Sequence, residues 1–379
     1  MERNYAVVLS CLLLVSPVLF AGDLEPSAAP GSTMKTLDEV EPRIPIPGSD
    51  TATAAFTISQ SGSYYLAGNR LCNNTGISVT ASDVTIDLMG YTLKGSGADV
   101  GILLGGCSNV EIKNGTVKNF QNGIYNSYNI TGAENHRVIN TRVVSNSRLG
   151  IYLAGEGNLV KSCTVSNNGG SPSATVYGIY VGGSSTISGN EISYNGQGSP
   201  YTVNCISCDG QSIICDNVIL HNGDDCTGSF VDLITCSGGT INNNVCYNNA
   251  GSAVVNSVIG ISAGFGSAIT NNKIQALGRD ADTTSVYGIN ASYGCTLTGN
   301  TVFQAGGSAD YTNAYGIYAS SGCSLMSNCV MSNGTAAGGT TYGIFLYGND
   351  VAEQNVSYNN YGTNMYVGAG SVLGNNVAP

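Results

Sequence analysis

The stretch YGIYVGGSSTISGNEISYN, from Tyr177 to Asn195, recurs in variant form along most of the chain. Its Gly-Ile pair marks each copy, and successive copies follow at intervals of 22 to 28 residues. A period of this length, kept over about twelve copies, is typical of a solenoid. The copies begin at Gly76, Gly101, Gly123, Gly150, Gly178, Cys205, Leu233, Gly260, Gly288, Gly316 and Gly343, with a degenerate copy at Gly362.

Within one copy, apolar residues alternate with small or polar ones. Ile179 and Val181 alternate with Gly178 and Tyr180, and Ile187 and Ile192 belong to two later short segments. A period of two, punctuated by Gly, Ser and Asn, indicates short strands joined by turns. All copies run in the same direction, so stacked copies pair in parallel. The sequence therefore predicts an all-β solenoid, a parallel β-helix of about twelve rungs with a short N-terminal cap.

Asparagine recurs at one position of the repeat, just before the third strand. Stacked Asn side chains bond to one another and to the turn backbone, so a ladder of them is expected at this corner. Cysteine takes nearly the same place in two copies. The asparagines are Asn190, Asn217, Asn244, Asn272, Asn300, Asn355 and Asn375, and the cysteines are Cys163 and Cys329.

The N-terminal segment predicts export. Residues 1–21 read as a signal peptide, because Arg3 precedes an apolar run too short for a membrane span after which small residues follow. We assign 22–55 to a linker, 56–75 to the N-terminal cap and 76–379 to the repeats. The twelve cysteines after the signal fit either stacked buried thiols or disulfides between adjacent rungs. Export and a net charge of −11 disfavour nucleic acid as a partner.

The repeat resembles the right-handed parallel β-helix superfamily, which includes pectate lyases, polygalacturonases and phage tailspikes. The stretches MKTLDEVEPRIPIP at 34–47, FTISQSGSYYLAGN at 56–69 and VTIDLMGYTL at 84–93 resemble exported repeat proteins of planctomycete- and verrucomicrobia-like bacteria. This resemblance covers nearly the whole chain after the signal. It implies a right-handed helix and a place in the periplasm, at the cell surface or outside the cell, but no single reaction.

One candidate catalytic segment is HNGDDC, from His221 to Cys226, followed by TCSGG at 235–239. It resembles the paired-aspartate motif of polygalacturonases, in which one carboxylic acid protonates the leaving oxygen and carboxylates activate water. The resemblance makes Asp224 and Asp225, with His221, candidate catalytic residues. Thr240 stands where that family has a histidine, and no third aspartate lies at the expected distance. A plain turn or a cation site is the alternative.

Acidic residues dominate the middle of the chain, where no Lys or Arg occurs between Lys161 and Lys273. Carboxylates from neighbouring rungs form the oxygen-only ligand set that calcium prefers. Asp209, Asp224 and Asp225 are therefore candidate calcium ligands. The alternative is a solvated acidic face.

A candidate glycan-binding surface lies in the first half of the repeats. If the isoleucines of the Gly-Ile pairs point inward, the following tyrosines point outward on three successive rungs, and Tyr318 and Phe345 hold the same phase later. Aromatic rings in a row stack on sugar faces, although they also stabilise sheets by cross-strand contact. Basic residues from the same half favour an acidic glycan. The candidate binding residues are Tyr125, Tyr152, Tyr180, Lys113, Arg142 and Lys161.

Three function classes fit these features. The first is an exported protein that binds polysaccharide or cell-surface glycan along a solenoid face, or acts as a rigid module. The second is an enzyme acting on acidic glycans: a lyase, an epimerase or a polygalacturonase-like hydrolase. The third is a tailspike-like or adhesin module. The sequence favours the first, because it contains no complete catalytic motif.

Overall fold

The computed structural model describes residues 43–126, 132–307, 310–334 and 339–379. The predicted signal peptide and most of the predicted linker lie outside these ranges. Every regular element in the described ranges is a β-strand, and no helix there is long and apolar enough to cross a membrane.

The strands are short, and almost all have three to ten residues. In chain order they are β1 (Ile44–Ile46), β2 (Ser49–Thr53), β3 (Phe56–Ile58), β4 (Gly62–Leu66), β5 (Arg70–Cys72), β6 (Ile77–Val79), β7 (Val84–Asp87), β8 (Thr92–Lys94), β9 (Val100–Leu104), β10 (Val110–Lys118), β11 (Asn122–Asn126), β12 (Arg137–Val144), β13 (Leu149–Leu153), β14 (Leu159–Lys161), β15 (Thr164–Ser166), β16 (Val176–Val181), β17 (Thr186–Ser188), β18 (Glu191–Ser193), β19 (Val203–Cys208), β20 (Ser212–Cys215), β21 (Val218–Leu220), β22 (Phe230–Cys236), β23 (Gly239–Asn242), β24 (Val245–Asn249), β25 (Val254–Ala263), β26 (Ala268–Thr270), β27 (Lys273–Leu277), β28 (Asp282–Ala291), β29 (Thr296–Thr298), β30 (Thr301–Ala305), β31 (Asp310–Ala319), β32 (Ser324–Met326), β33 (Cys329–Met331), β34 (Thr340–Leu346), β35 (Val351–Glu353), β36 (Val356–Tyr358), β37 (Thr363–Val367) and β38 (Val372–Leu373).

These strands form three faces, and each turn of the chain contributes one strand to each face. Face 1 is a sheet of 13 strands that runs from β3 through every Gly-Ile strand to β37. Faces 2 and 3 belong to one sheet of 25 strands, because the long strands β10 and β12 turn the corner and pair on both faces. A typical turn is β16 on face 1, β17 on face 2 and β18 on face 3. We call the bends between them the 1–2, 2–3 and 3–1 corners.

Strand pairing is parallel throughout the described ladders, which confirms the predicted solenoid. Ile124, Ile151, Ile179 and Ile206 are register partners on successive turns of face 1, and each is fully buried. The core is therefore a stack of aliphatic columns, in which each repeat buries its apolar side against its two neighbours. Parallel neighbours lie about 4.8 Å apart.

The glycine of the Gly-Ile pair is required by close approach between turns. A Cβ at Gly150 would lie 2.4 Å from the carbonyl oxygen of Gly178 on the next turn. No side chain fits at that distance without a backbone shift. This contact explains why glycine precedes isoleucine in most copies.

The predicted asparagine ladder is present at the 2–3 corner. Asn190 Nδ2 donates a hydrogen bond of 2.9 Å to Asn217 Oδ1, and the pattern continues turn by turn. Two predicted members are wrong by one residue: Asn328 holds the position rather than Cys329, and Asn376 holds it rather than Asn375. At the first of these places the ladder needs an amide, which Asn328 supplies and Cys329 lacks.

A second asparagine ladder, which we did not predict, follows the 3–1 corner. Its hydrogen bonds between successive turns measure 2.9 to 3.0 Å. Leu277 and Ala305 interrupt it, and it resumes at Asn333 and Asn360. Its first members are Asn146, Asn168, Asn195, Asn222 and Asn249.

Parallel strand pairing begins before residue 76. β1, β2 and β3, within the segments predicted as linker and cap, already pair in parallel with β4, β5 and β6. The cap segment thus continues the same geometry toward the N-terminus, which gives face 1 one strand more than the twelve copies counted from the sequence.

Candidate functional site

The predicted catalytic residues His221, Asp224 and Asp225 lie together at the 3–1 corner between β21 and β22. They line a cleft of about 370 Å³ with Arg279 and Asp280. Asp224 Oδ1 accepts a hydrogen bond of 2.6 Å from the backbone N–H of Gly251, and Asp225 Oδ1 accepts one of 2.6 Å from the Ser252 hydroxyl. Both carboxylates therefore tie this loop to the loop of the next turn, a structural role independent of catalysis.

The predicted calcium ligands do not form one cluster. Asp209 lies at the 1–2 corner, where its Oδ2 accepts a hydrogen bond of 2.5 Å from the Tyr180 hydroxyl. Asp224 and Asp225 lie at the 3–1 corner, across face 1 from it. Within the described ranges, no three His, Cys, Asp or Glu side chains are placed to hold a common metal ion. Calcium binding stays a prediction.

The predicted basic residues lie on faces other than that of the tyrosines. Lys113 and Lys161 occupy one column of face 2, two turns apart. Lys113 forms a 2.7 Å ion pair with Glu111. Arg142 lies on face 3, where its Nε donates to Thr116 Oγ1 at 3.0 Å beside a cleft at the 2–3 corner. The structure thus does not gather cations and tyrosines into one surface.

The predicted tyrosine stripe is in register, but it is largely covered. Tyr125, Tyr152 and Tyr180 stack on successive turns of face 1, with ring centroids 5.4 and 4.5 Å apart. Tyr152 is only 8% exposed and Tyr180 only 3%. Tyr177 packs edge-on against both rings from the neighbouring outward column. We call these four residues the first aromatic group; their ring faces contact one another and leave little surface for a ligand.

A second aromatic group lies at the other end of face 1. Tyr287, Tyr315 and Tyr342 stack in one outward column, with centroids 4.9 and 5.5 Å apart. Tyr318, Phe345 and Tyr366 stack in the adjacent column at 5.3 and 4.5 Å. Tyr366 is 43% exposed, and the others are partly exposed.

Only Tyr318 and Phe345 of this second group had been noted from the sequence. The tyrosine that precedes Gly-Ile in the copies at Tyr177, Tyr287, Tyr315 and Tyr342 was the missed signal. The Gly and the Ile of the pair are both buried, which breaks the strict alternation, so this tyrosine lies outward three residues before the position that we had counted.

A polar trough separates the two aromatic groups on face 1. In the columns that carry tyrosines at either end, the middle turns carry small polar side chains, with Ile259 as the apolar exception. These side chains are shorter than the flanking rings, so the surface is lower here. The trough residues are Asn204, Ser207, Asp232, Thr235, Ser262 and Asn290.

Unpaired polar atoms concentrate on face 1. Asp232 Oδ1 and Thr235 Oγ1 are buried in the trough without a hydrogen-bond partner among the described residues. Of the other such side-chain atoms in the described residues, Arg70 Nε, His136 Nε2 and Arg148 Nε lie outside the strands of face 1. The remaining ones, on face 1, are Asn122 Oδ1, Asn126 Oδ1 and Ser257 Oγ. Because buried polar atoms in native proteins are nearly always paired, such a cluster marks a place where water or a ligand completes the bonding.

Two titratable groups, one in the trough and one in the first aromatic group beside it, have shifted pKa values. Burial raises the pKa of Asp232 to about 6. Burial also raises the pKa of Tyr177, and the negative charge of Asp209 adds to this effect. Perturbed groups that converge on one depression are a common property of binding and catalytic sites. The sequence had shown Asp232 only as one acid among several.

Comparison with known proteins concerns the fold. A sequence profile described as "Right handed beta helix region" matches residues 54–204. The fold is a right-handed parallel β-helix. No curated protein matches the chain.

Among solved structures, the β-helix is similar to the mannuronan C-5 epimerase AlgE4 A-module of Azotobacter vinelandii, with 13% identity, a TM-score of 0.45, and 89% of this chain and 91% of that one covered. The Dettilon tailspike protein has 15% identity and a TM-score of 0.42 over 83% of this chain and 60% of that one. The GH136 lacto-N-biosidase of Eubacterium ramulus has 10% identity and a TM-score of 0.37 over 83% and 61%.

Proposed function

We propose that this β-helix binds a polysaccharide along face 1, with the sugar chain lying in the polar trough and against the second aromatic group. The observation that carries the proposal is the pair of buried, unpaired oxygens in the trough, Asp232 Oδ1 and Thr235 Oγ1. Leaving such groups without a partner costs about 1–3 kcal/mol each, so a ligand that supplies hydroxyl groups recovers that energy.

The chemistry of sugars matches both parts of this surface. A sugar ring presents hydroxyl groups at its edge and C–H groups on its face. Asn204, Ser207 and Asp232 offer donors and acceptors for the hydroxyl groups, while Tyr366 offers an exposed ring for the apolar face. The distance from Tyr180 to Tyr318 is five turns, or about 24 Å, which accommodates an extended chain.

Affinity electrophoresis tests this function. The folded protein would be run through gels that contain a panel of neutral and acidic polysaccharides. We expect one of them to retard it, and expect Thr235→Val and Tyr366→Ala each to weaken the retardation several-fold. Thr240→Val, an exposed threonine on face 2 of the same turn, serves as the matched control. Equal retardation of all variants, or none with any polysaccharide, would contradict binding on face 1.

Catalysis on an acidic glycan is the second candidate, favoured by one observation. A carboxyl group with a pKa of about 6 exchanges protons readily near neutral pH, and Asp232 in the trough has that property. Unsaturated uronates would reveal a lyase, new reducing ends a hydrolase, and exchange of sugar C–H hydrogen with deuterated water an epimerase. Asp232→Asn should abolish product formation, while a gel that contains the polysaccharide should still retard the variant. If no polysaccharide that retards the protein yields a product, catalysis is excluded and binding remains.

We also propose that the protein is exported. The predicted signal peptide, 1–21, lies outside the described residues, and a polysaccharide ligand suits the periplasm, the cell surface or the extracellular space. N-terminal sequencing of protein recovered from cell fractions tests it: we expect export and a start near residue 22. An intact N-terminus in the cytoplasmic fraction would contradict it.

A further inference from the structure

Two pairs of cysteines lie in contact across neighbouring turns. Cys208 and Cys236 are register partners at the ends of β19 and β22 on face 1. Cys295 and Cys323 precede β29 and β32 at the 1–2 corner, where the next residues, Thr296 and Ser324, are register partners. All four are buried free thiols.

Contact between the thiols changes their ionisation in opposite directions. The proximity of Cys208 lowers the pKa of Cys236, and that of Cys323 lowers the pKa of Cys295 to about 7. The pKa values of Cys208 and Cys323 are raised. The thiolate is the form that attacks a disulfide, and before the turns close either thiol of a pair can supply it.

Cys163 lacks such a partner, because Asn190 holds the equivalent position on the next turn. Cys163 Sγ donates to the carbonyl oxygens of Lys161 at 3.3 Å and Val138 at 3.4 Å, and burial raises its pKa to about 11. Burial also raises the pKa of Cys246, to about 12. These thiols are protonated at neutral pH, so they serve as controls within the same chain.

We propose that Cys208–Cys236 and Cys295–Cys323 each form a disulfide that links one turn of the solenoid to the next. Parallel register partners lie about 4.8 Å apart, inside the Cα–Cα range of about 4.4–6.8 Å found in disulfides. The two bonds are independent of the proposed polysaccharide function. Cys208 and Cys236 directly follow Ser207 and Thr235, so the first bond also fixes the spacing of two trough turns.

The oxidant is a low-molecular-weight disulfide, such as oxidised glutathione, or the disulfide of a thiol oxidase. The Cys295 thiolate attacks this disulfide, forms a mixed disulfide and releases one thiol. Cys323 then loses its proton and attacks the Cys295 sulfur, which expels the second thiol. The protein loses two electrons and two protons, and the oxidant disulfide is reduced to two thiols; Cys236 and Cys208 react in the same way. Because the folded pairs are buried, oxidation takes place before the neighbouring turns close.

Peptide mapping tests both bonds. The full chain would be refolded with a mixture of oxidised and reduced glutathione, and in parallel with a phosphine reductant. The folded fraction would be isolated, denatured, alkylated and digested without reduction. We expect two cross-linked peptides, joining Cys208 to Cys236 and Cys295 to Cys323, each lighter by two hydrogens than the sum of its parts.

Cysteine-to-serine variants identify which residues form each disulfide cross-link. Cys208→Ser should remove the first cross-link alone, Cys295→Ser the second alone, and Cys163→Ser neither. Reductant should lower the midpoint of thermal unfolding of the oxidised wild type by several degrees, and leave that of the Cys208→Ser/Cys295→Ser double variant unchanged. Complete alkylation of the four cysteines in the oxidised sample, or links between other pairs, would overturn the proposal. A link in only one pair would overturn it for the other.

Discussion

Asn195 and Asn222 join two turns of the β-helix through both main-chain and side-chain bonds. Oδ1 of Asn222 accepts hydrogen bonds of 2.9 Å from the backbone N–H and from Nδ2 of Asn195. Nδ2 of Asn222 in turn donates to Oδ1 of Asn249 at 3.0 Å. The Asn222 side chain therefore supplies hydrogen-bond partners to buried groups of Asn195 on the preceding turn and of Asn249 on the following turn.

Asn222→Leu should destabilise the protein strongly. It leaves two buried donors of Asn195 and one buried acceptor of Asn249 without that partner, which predicts a loss of about 3 kcal/mol or more in the free energy of unfolding. Urea unfolding followed by tyrosine fluorescence measures this loss, because the chain has no tryptophan. Asn256→Leu, at an exposed position of β25, is the control. Similar losses for the two variants would show that the ladder contributes nothing specific.

Tyr152→Ala and Tyr366→Ala should have opposite consequences. Tyr152 is almost fully buried in the first aromatic group, so its removal leaves a cavity and should cost about 3 kcal/mol of stability. Tyr366 is exposed, so its removal should cost little stability but weaken glycan retention. Unfolding curves and affinity electrophoresis on both variants separate these roles. Full stability of Tyr152→Ala would contradict the buried cluster.

Asp232 should make stability depend on pH between about 4 and 6. Burial raises the pKa of this carboxyl from 3.8 to about 6, so the folded protein binds a proton in this range that the unfolded chain has released. Its contribution to stability is therefore present below pH 3.8 and is lost as the pH rises through 6, with a slope of up to about 1.4 kcal/mol per pH unit. Asp232→Asn should remove this slope and raise stability at pH 7. Parallel pH profiles for wild type and variant would contradict the burial of this group.

The cleft at His221 gives a separate test of the hydrolase interpretation. If Asp224 and Asp225 only tie adjacent loops, Asp224→Asn with Asp225→Asn should leave polysaccharide retention and any product formation intact, and reduce stability by about 1 kcal/mol. Thermal unfolding and reducing-end assays measure both. Loss of product in this double variant, with polysaccharide binding retained, would show that the catalytic site lies in the His221 cleft rather than in the trough.

Much of the architecture was readable from the repeat. Ile179 and Val181 in period two predicted an inward column, and the structure confirms it. The close approach of turns at Gly178 was found only in the structure. The ladder position of Asn190 was likewise visible, because only its phase was needed. The ladder of Asn195 was missed, although each of its positions follows a position of the first ladder by five residues; Leu277 and Ala305 interrupt it.

The candidate functional site was harder to predict from the sequence than the fold. The register of Tyr125, Tyr152 and Tyr180 was correct, but their exposure was not, because Tyr177 and the neighbouring turns cover the rings. Asp232 looked like any other acid in the sequence. Its unpaired oxygen and raised pKa exist only because the fold buries it between two turns.

The strand pattern of one turn and its repetition are predictable from the amino-acid sequence, because the period of apolar, glycine and asparagine residues reflects how each turn contacts the next. Which outward residues reach solvent, and which groups share a face, depends on the three-dimensional packing of the turns. Exposure depends on what the adjacent turns and corner loops place over a side chain, and residues about 28 positions apart become neighbours only once the turns are stacked.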